Sequence, residues 1–378
     1  MDIPFNKIHA AGNEIEYISN AMKRGKTSSG GYYCKEVEKF VESKFGARKA
    51  FFTSSCSAAL DASAVIIGLE NEDEVIMPSF TFSSTANAVL ARGAKPVFVD
   101  IEKVTFDMDV DDVKAKITAK TKAIYPVHYA GISCDMEAIT SIASRHGLKV
   151  VEDAAQGVGS MYGGEYLGTM GNIGCLSFHE TKNVTCGEGG CLLMNDSTLD
   201  EIAEIVLEKG TNRTKFLNGE IDKYTWVGLG SSYLGSEIAA AYLLAQLEEM
   251  DTINRKRRVA TSNYYEFFRA SKLVEEGHVV LPSVPWEMRS NYHAFVILLK
   301  DEKTRNETIV KMKEKGIAVA SHFVPLHSSP MGRSLGYEED DCPITEEVSK
   351  RLLRLPMHTG LSTADCQKVV ARLEECLA

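Results

Sequence analysis

The chain has 378 residues, enough for a large core and a second domain, since single domains usually run to about 100–200 residues. With 44% hydrophobic and 25% charged residues it has an average globular composition, which excludes a disordered or fibrous chain. A formal net charge of −10 excludes an extended nucleic-acid surface, which needs clustered Lys and Arg, yet a small anion can still be held by a local positive field or a helix N-terminus.

The opening stretch Met1 to Lys7 lacks the charged start and apolar run of a signal peptide. No apolar run approaches the roughly 20 residues needed to span a bilayer, so a cytoplasmic protein is expected. Nine cysteines are scattered from Cys34 to Cys376 without a CxxC pair and read as reduced thiols, so no zinc site and no metal are expected.

In chain order, short apolar runs alternate with amphipathic segments from about residue 48 to residue 195. Glu74–Met77, Pro96–Asp100, Ala123–Val127, Lys149–Asp153, Gly174–Phe178 and Gly190–Met194 are apolar on both faces, which predicts buried strands of a mostly parallel sheet. Ser57–Gly68, rich in Ala, Leu and Ile, predicts a helix, and Met136–His146 predicts another that stops near Gly147. This is the rhythm of an α/β fold with helices on both faces of the sheet. Further on, the pattern predicts a helix near Leu199–Lys209, a polar loop at Gly210–Thr214 and one long helix from about Ser236 to Lys256. It then predicts a strand at Phe295–Leu299, a helix near Thr304–Lys315, a strand around Ile317–Val324 and a terminal helix from Thr363. Two domains are expected: 1–235, a large α/β unit with an N-terminal arm, and 236–378, the connecting helix with a smaller α+β unit.

Ligands of open α/β sheets sit beyond the carboxyl ends of the strands. Two such ends carry reactive groups: Asp153 in the stretch Val150 to Gly157, and Lys182 in the stretch Ser177 to Asn183. Pyridoxal phosphate needs a lysine that bonds its aldehyde and a carboxylate that keeps its ring nitrogen protonated. Singly, Asp153 reads as a helix cap and Lys182 as a solvated loop lysine; their combination with further features outweighs that reading. Cys56 and Ser57 end a hydroxyl-rich turn that opens into a helix, suited to a phosphate and equally to ordinary capping. Phe82 offers a face for a flat ring or a piece of core, Ser177 a hydroxyl for the phosphate, and Gln156 a hydrogen bond to a phenolic oxygen or a plain surface amide. Gly187, Gly189 and Gly190 suit a tight turn and a close approach to a ligand.

Glu152-Asp153-Ala154-Ala155-Gln156, Ser177-Phe178-His179, Lys182-Asn183 and Gly187-Glu188-Gly189-Gly190 together resemble the DegT/DnrJ/EryC/StrS family of fold-type I pyridoxal phosphate sugar aminotransferases, along essentially the whole chain. The resemblance implies Lys182 as the catalytic lysine that carries the cofactor, Asp153 on the pyridine nitrogen, Gln156 on the phenolic oxygen and Phe82 over the ring. It places Cys56, Ser57 and Ser177 at the phosphate. Amino transfer is implied rather than dehydration, because the family's ketosugar dehydratases carry histidine at the Lys182 position. A homodimer with shared active sites is implied as well.

Within the family, the stretches Phe178 to Asn183, Val127 to Gly131, Lys209 to Arg213 and Lys223 to Trp226 look like one branch. That branch aminates C4 of the nucleotide sugar dTDP-4-dehydro-6-deoxy-D-glucose with L-glutamate, giving dTDP-4-amino-4,6-dideoxygalactose for enterobacterial common antigen. Gly230 to Leu234 departs from the family's Gly-x-Asn-x-Arg segment, whose asparagine reaches the neighbouring subunit's cofactor phosphate, and leaves Ser232 as the donor there. Tyr32, Arg213 and Tyr233 are expected to bear on the choice of sugar. His322 and His327 match a stretch near the sugar, and each, taken alone, reads more readily as a structural residue. Another acceptor, such as a UDP-linked 4-ketopentose, and a non-catalytic cofactor-binding regulator stand as alternatives.

Overall fold

The structure, a computed structural model, describes residues 2–377 other than Trp286. Seven strands form one sheet in the order Lys49–Thr53, Gly190–Met194, Ile173–Ser177, Lys149–Asp153, Thr121–Ile124, Glu74–Pro78, Lys95–Val99. Neighbours are parallel except at Gly190–Met194, which runs antiparallel to both of its partners. The expected α/β fold with a mostly parallel sheet is therefore present. Its first strand, Lys49–Thr53, is not among the expected ones, although Ala50-Phe51-Phe52 is an apolar run.

The sheet is a closed interior because side chains on both of its faces are apolar. Val75, Met77, Val151, Cys175, Leu192 and Met194 pack on one face against the helix Cys56–Ile66. Phe52, Leu176, Cys191 and Leu193 pack on the other against the helices Tyr32–Phe45 and Glu237–Glu248. Each such large apolar side chain contributes about 1.5–3 kcal/mol on burial. The helix Met136–His146 has its expected bounds: the Asp135 side chain accepts from the Ala138 N–H, and Gly147 ends the helix at φ +67° in the left-handed region.

Two expectations are corrected. The single long helix from Ser236 to Lys256 is two helices, Glu237–Glu248 and Met250–Ala270, with the break at Glu249. The apolar stripes face different partners: Leu243 and Leu247 lie in the sheet's cluster, whereas Ala260, Tyr264 and Phe268 reach a C-terminal cluster with Phe295, Ile297, Leu353 and Leu373. The strand expected around Ile317–Val324 is reduced to isolated bridges, Ile3 with Ile317 and Ala320 with Arg354. Phe295–Leu298 pairs instead with Leu352–Leu355, in antiparallel register. A side chain replaces a ladder bond at the frayed segment, since Nε and Nη2 of Arg354 both donate to the Ser321 carbonyl.

Thr53 and Ser177 both lie opposite Gly190, and Asp153 lies opposite Cys175. Three carboxyl strand ends and one amino end therefore share one edge of the sheet, and the C-terminal segments close over it. Among the described residues no helix is long and apolar enough to cross a membrane, and no group of His, Cys, Asp or Glu is placed to hold a metal ion.

Candidate active site

A cavity of about 550 Å³ lies at that edge. Its sheet side carries Cys56, Ser57, Phe82, Asp153, Gln156, Ser177 and Lys182, and its C-terminal side carries Arg257, His293, His322, Phe323 and Arg354, with Phe5 and Asn6 of the N-terminal arm. Residues far apart in sequence thus meet as expected.

The sheet side is tied together by its own hydrogen bonds. Asp153, nearly fully buried, receives the Thr85 hydroxyl on Oδ2 at 2.7 Å and the Ala155 N–H on Oδ1 at 3.1 Å. Thr85 spends its proton on Asp153, so the Thr81 hydroxyl donates to Thr85, at 3.1 Å. Alternation along the strand turns Glu152 the other way, where its carboxylate accepts from the N–H groups of Gly168, Met170 and Gly171 and bonds His128 Nε2 at 2.9 Å. Glu152 therefore serves the fold and Asp153 serves the cavity. Gln156 accepts the Ala130 N–H on Oε1 at 2.7 Å, which leaves its amide NH₂ as the group it can offer a ligand.

The helix Cys56–Ile66 points its N-terminus at the cavity, with the Ser55 hydroxyl oxygen accepting from the Ala58 N–H at 3.0 Å. Ser57 Oγ lies 2.6 Å from Ser84 Oγ. Gly190 runs against this turn so closely that a Cβ there would stand 2.3 Å from the Ser55 carbonyl carbon and 2.5 Å from the Cys56 nitrogen. Burial pushes the Cys56 thiol well up, so it remains a neutral group beside the turn. Ser177, buried and on the cavity, is a further hydroxyl.

Lys182 sits in a loop pinned by Glu180 N–H to the Gly187 carbonyl, at 2.8 Å, and by its own N–H to the His179 carbonyl, at 2.9 Å. Burial lowers its amine below the usual lysine range; Cys56 and Asp153 oppose that shift and Arg354 adds to it. A lowered amine is a better base near neutral pH.

These residues fit pyridoxal 5′-phosphate on features of the chain itself. A helix N-terminus with hydroxyls suits the phosphate, a held carboxylate suits a protonated ring nitrogen, and the amine at Lys182 suits the aldehyde. Phe82, 61% exposed although aromatic, presents a bare face at the cavity.

On the C-terminal side, the His322 ring stacks on Phe323 at 3.8 Å and its Nδ1 lies 2.7 Å from the Tyr129 hydroxyl. Burial, aided by Arg354 and Lys182, pushes the imidazole down to about 2, while burial pushes the Tyr129 phenol up. The phenol therefore donates to Nδ1, and the ring proton rests on Nε2. Burial likewise pushes His293 well down; its Nδ1 lies 3.1 Å from Asn183 Oδ1.

His327 does not line the cavity. Fully buried, it lies 2.6 Å from Ser79 Oγ by Nδ1 and 3.2 Å from the Glu339 carbonyl by Nε2, which is the work of a structural histidine. Tyr32 lies under the Arg24 guanidinium at 3.9 Å, in a separate groove. Arg213 pairs with Glu208 at 3.2 Å, Ser232 is exposed, and the Tyr233 carbonyl accepts from the Ser54 N–H at 2.8 Å. None of these four lines this chain's cavity. Thr85, Arg257, His293 and Arg354 go unnoticed in the sequence. Only the i, i+4 spacing of Thr81 and Thr85 ahead of the Asp153 strand carried a signal.

A family model described as the DegT/DnrJ/EryC1/StrS aminotransferase family matches residues 9–374. The chain is 35% identical to a pleiotropic regulatory protein of Geobacillus stearothermophilus, over 96% of this chain and 94% of that protein. It is 34% identical to GDP-perosamine synthase of Caulobacter vibrioides, over 97% and 96% of the two chains. Among solved structures it resembles NtdA of Bacillus subtilis with bound cofactor PMP, at 28% identity and a TM-score of 0.85, covering 97% of this chain and 82% of the other.

Proposed function

The chain belongs to the DegT/DnrJ/EryC1/StrS aminotransferase family, a family of pyridoxal phosphate-dependent sugar aminotransferases, and from that premise we propose that it transfers the amino group of L-glutamate to C4 of dTDP-4-dehydro-6-deoxy-D-glucose. The product is dTDP-4-amino-4,6-dideoxy-D-galactose, and the setting is enterobacterial common antigen synthesis in the cytoplasm. The observation that carries the chemistry is the meeting of Asp153 and Lys182 on one cavity.

When bound, the cofactor supplies an aldehyde to take up the amine and an electron-poor ring to weaken the neighbouring C–H bond. Asp153, held by Thr85 and Ala155, would set its carboxylate at the ring nitrogen. The Gln156 NH₂ would donate to the phenolic oxygen, Phe82 would cover the ring, and Cys56, Ser57 and Ser177 would hold the phosphate. Nζ of Lys182, eased toward its neutral form by burial, takes the proton from the α-carbon of the donor and delivers one to C4 of the sugar in the second half-reaction.

The active unit is a homodimer in which Ser232, Tyr233, Arg213 and Tyr32 serve the partner's cavity. None of the four lines this chain's own cavity, which supports that arrangement, as do the exposed Leu217, Tyr224, Trp226, Val227 and Leu229 close to three of them in sequence. The chain divides into a cofactor unit, 1–235, and a helix with a small unit, 236–378.

Similarity to GDP-perosamine synthase favours a second acceptor, a GDP-linked 4-ketosugar, with the same residues in the same roles. Holoenzyme given L-glutamate and each ketosugar in turn, with products read by NMR, decides between them. A 4-amino sugar of galacto configuration on dTDP bears out the first reading and amination of the GDP sugar alone the second. Failure of glutamate to convert the cofactor to its amine form would falsify the aminotransferase reading and leave a cofactor-binding regulator.

A further inference from the structure

Resting on the aminotransferase reading, we propose that Arg354 is the carboxylate anchor for the amino donor: it holds the α-carboxylate of the amino acid on the C-terminal wall of the cavity while the amine is worked on at Lys182.

Acidic residues outnumber Lys and Arg by 52 to 42 in this chain, and several arginines pair with them. Arg48 pairs with Asp200, Arg213 with Glu208, Arg351 with Glu347 and Arg372 with Glu375. Arg354, three residues beyond Arg351 and in the strand Leu352–Leu355, has no carboxylate partner among the described residues. It is half-buried and lines the cavity. Nε and Nη2 donate to the Ser321 carbonyl at 3.1 and 2.9 Å, and the guanidinium carbon lies 4.9 Å from the centre of the Phe5 ring. One edge of the guanidinium is thus clamped, and Nη1 has no acceptor among the described residues.

A planar cation with one edge fixed and the other free is a receptor for a planar carboxylate, which it meets with two parallel N–H···O bonds. Withdrawing a guanidinium from water without an anion is costly, and a substrate carboxylate offsets that cost only while it is bound. Arg257, fully buried, donates to the Tyr292 and His293 carbonyls at 2.9 and 2.5 Å and also lacks a carboxylate among the described residues. The wall therefore carries two uncompensated positive charges, which favours a dicarboxylic donor over a neutral side chain. Arg354 is near enough to Lys182 for their charges to act on one another, so an anion on Arg354 lies close to the reacting amine and relieves their repulsion.

The shared chemistry is an oxyanion, which a carboxylate or the diphosphate of a nucleotide sugar can provide; calorimetric titration of the holoenzyme separates them. The probes are glutarate, which has the carboxylates of glutamate and no amine to react, and dTDP. Arg354→Gln is expected to weaken glutarate at least about tenfold and to leave dTDP within about twofold. Arg354→Lys, which keeps the charge and loses the fork, falls between. Unchanged glutarate affinity in Arg354→Gln overturns the assignment, as does wild-type holoenzyme that binds no glutarate, and an equal loss for dTDP makes Arg354 a phosphate contact instead. Should Arg354→Gln not fold, Arg354→Lys carries the test: weaker glutarate with unchanged dTDP supports the anchor, and unchanged glutarate removes it. The aminotransferase reading fails separately, if wild-type enzyme leaves its cofactor unconverted by glutamate.

Discussion

The carboxylate and amide on the sheet side of the cavity and the two arginines on its C-terminal side are treated in opposite ways. On the sheet side Asp153 is held by Thr85 and Ala155, Gln156 by Ala130, and Ser57 by Ser84. On the C-terminal side Arg354 and Arg257 spend donors on backbone carbonyls and keep their charge unneutralised by any described carboxylate. The first arrangement suits a resident group that never leaves, because nothing must rearrange to receive it. The second suits ligands that come and go, because the stabilisation is withheld until one arrives.

Substitutions can break this contrast or sharpen it. The largest effect is expected at Lys182, where Lys182→Ala should keep the melting temperature within a few degrees and cut turnover by at least about 10⁴-fold, since bond-forming amine and proton carrier vanish together. Turnover within tenfold of wild type would move the chemistry off the sheet side. Next is Asp153→Asn, expected to lower turnover on the order of 10²–10³-fold in steady-state assays. Thr85→Val, which removes one neutral hydrogen bond, should cost only about fivefold. Equal losses in the two variants would show that the threonine does more than hold the carboxylate.

Gly190→Ala tests the tightness of the turn at Ser55 and Cys56. Its Cβ would meet backbone that cannot move aside, so about 1–3 kcal/mol of stability should be lost and the cofactor should dialyse out faster. A variant that melts and retains cofactor like wild type would contradict the close approach. The smallest effect is expected at His322. Its imidazole is pushed from the usual 6.5 to about 2, so the fold accepts the neutral ring. The stability tied to it is complete above about pH 6.5 and declines as pH falls below that, where the unfolded chain gains a proton and the folded one does not. His322→Gln should therefore flatten the acid limb of the melting temperature between about pH 6.5 and 5 and leave the pH profile of turnover unshifted above it. An activity limb that moves with His322→Gln would make this imidazole a titrating catalytic group.

The same contrast governs what sequence reasoning could reach. Asp153, Ser177 and Lys182 lie at the ends of apolar runs, where a strand-end rule finds them. Met136–His146 is legible because Asp135 and Gly147 mark both ends chemically. Lys49–Thr53 escapes notice although Ala50-Phe51-Phe52 is an apolar run, and only the structure shows it as the edge strand of the sheet. Arg257 and Arg354 escape because an arginine is by default a surface residue, and nothing local says that a helix and a short strand remote from Lys182 will turn theirs inward. The frayed stretch after Ile317 reads as a strand from its apolar alternation; the bond from Arg354 that replaces its ladder is a tertiary event.

The antiparallel strand Gly190–Met194 also sets a timetable. Lys49–Thr53 has no other neighbour in the sheet, and the turn that follows it is held by Gly190 and by the Tyr233 carbonyl. Because chains emerge from the ribosome N-terminus first, that turn must wait for distant partners, as in any fold of high contact order. A ribosome stalled before residue 190 would display six of the seven strands without the one that Lys49–Thr53 pairs with, so that edge of the sheet and the turn after it wait for the second half of the chain.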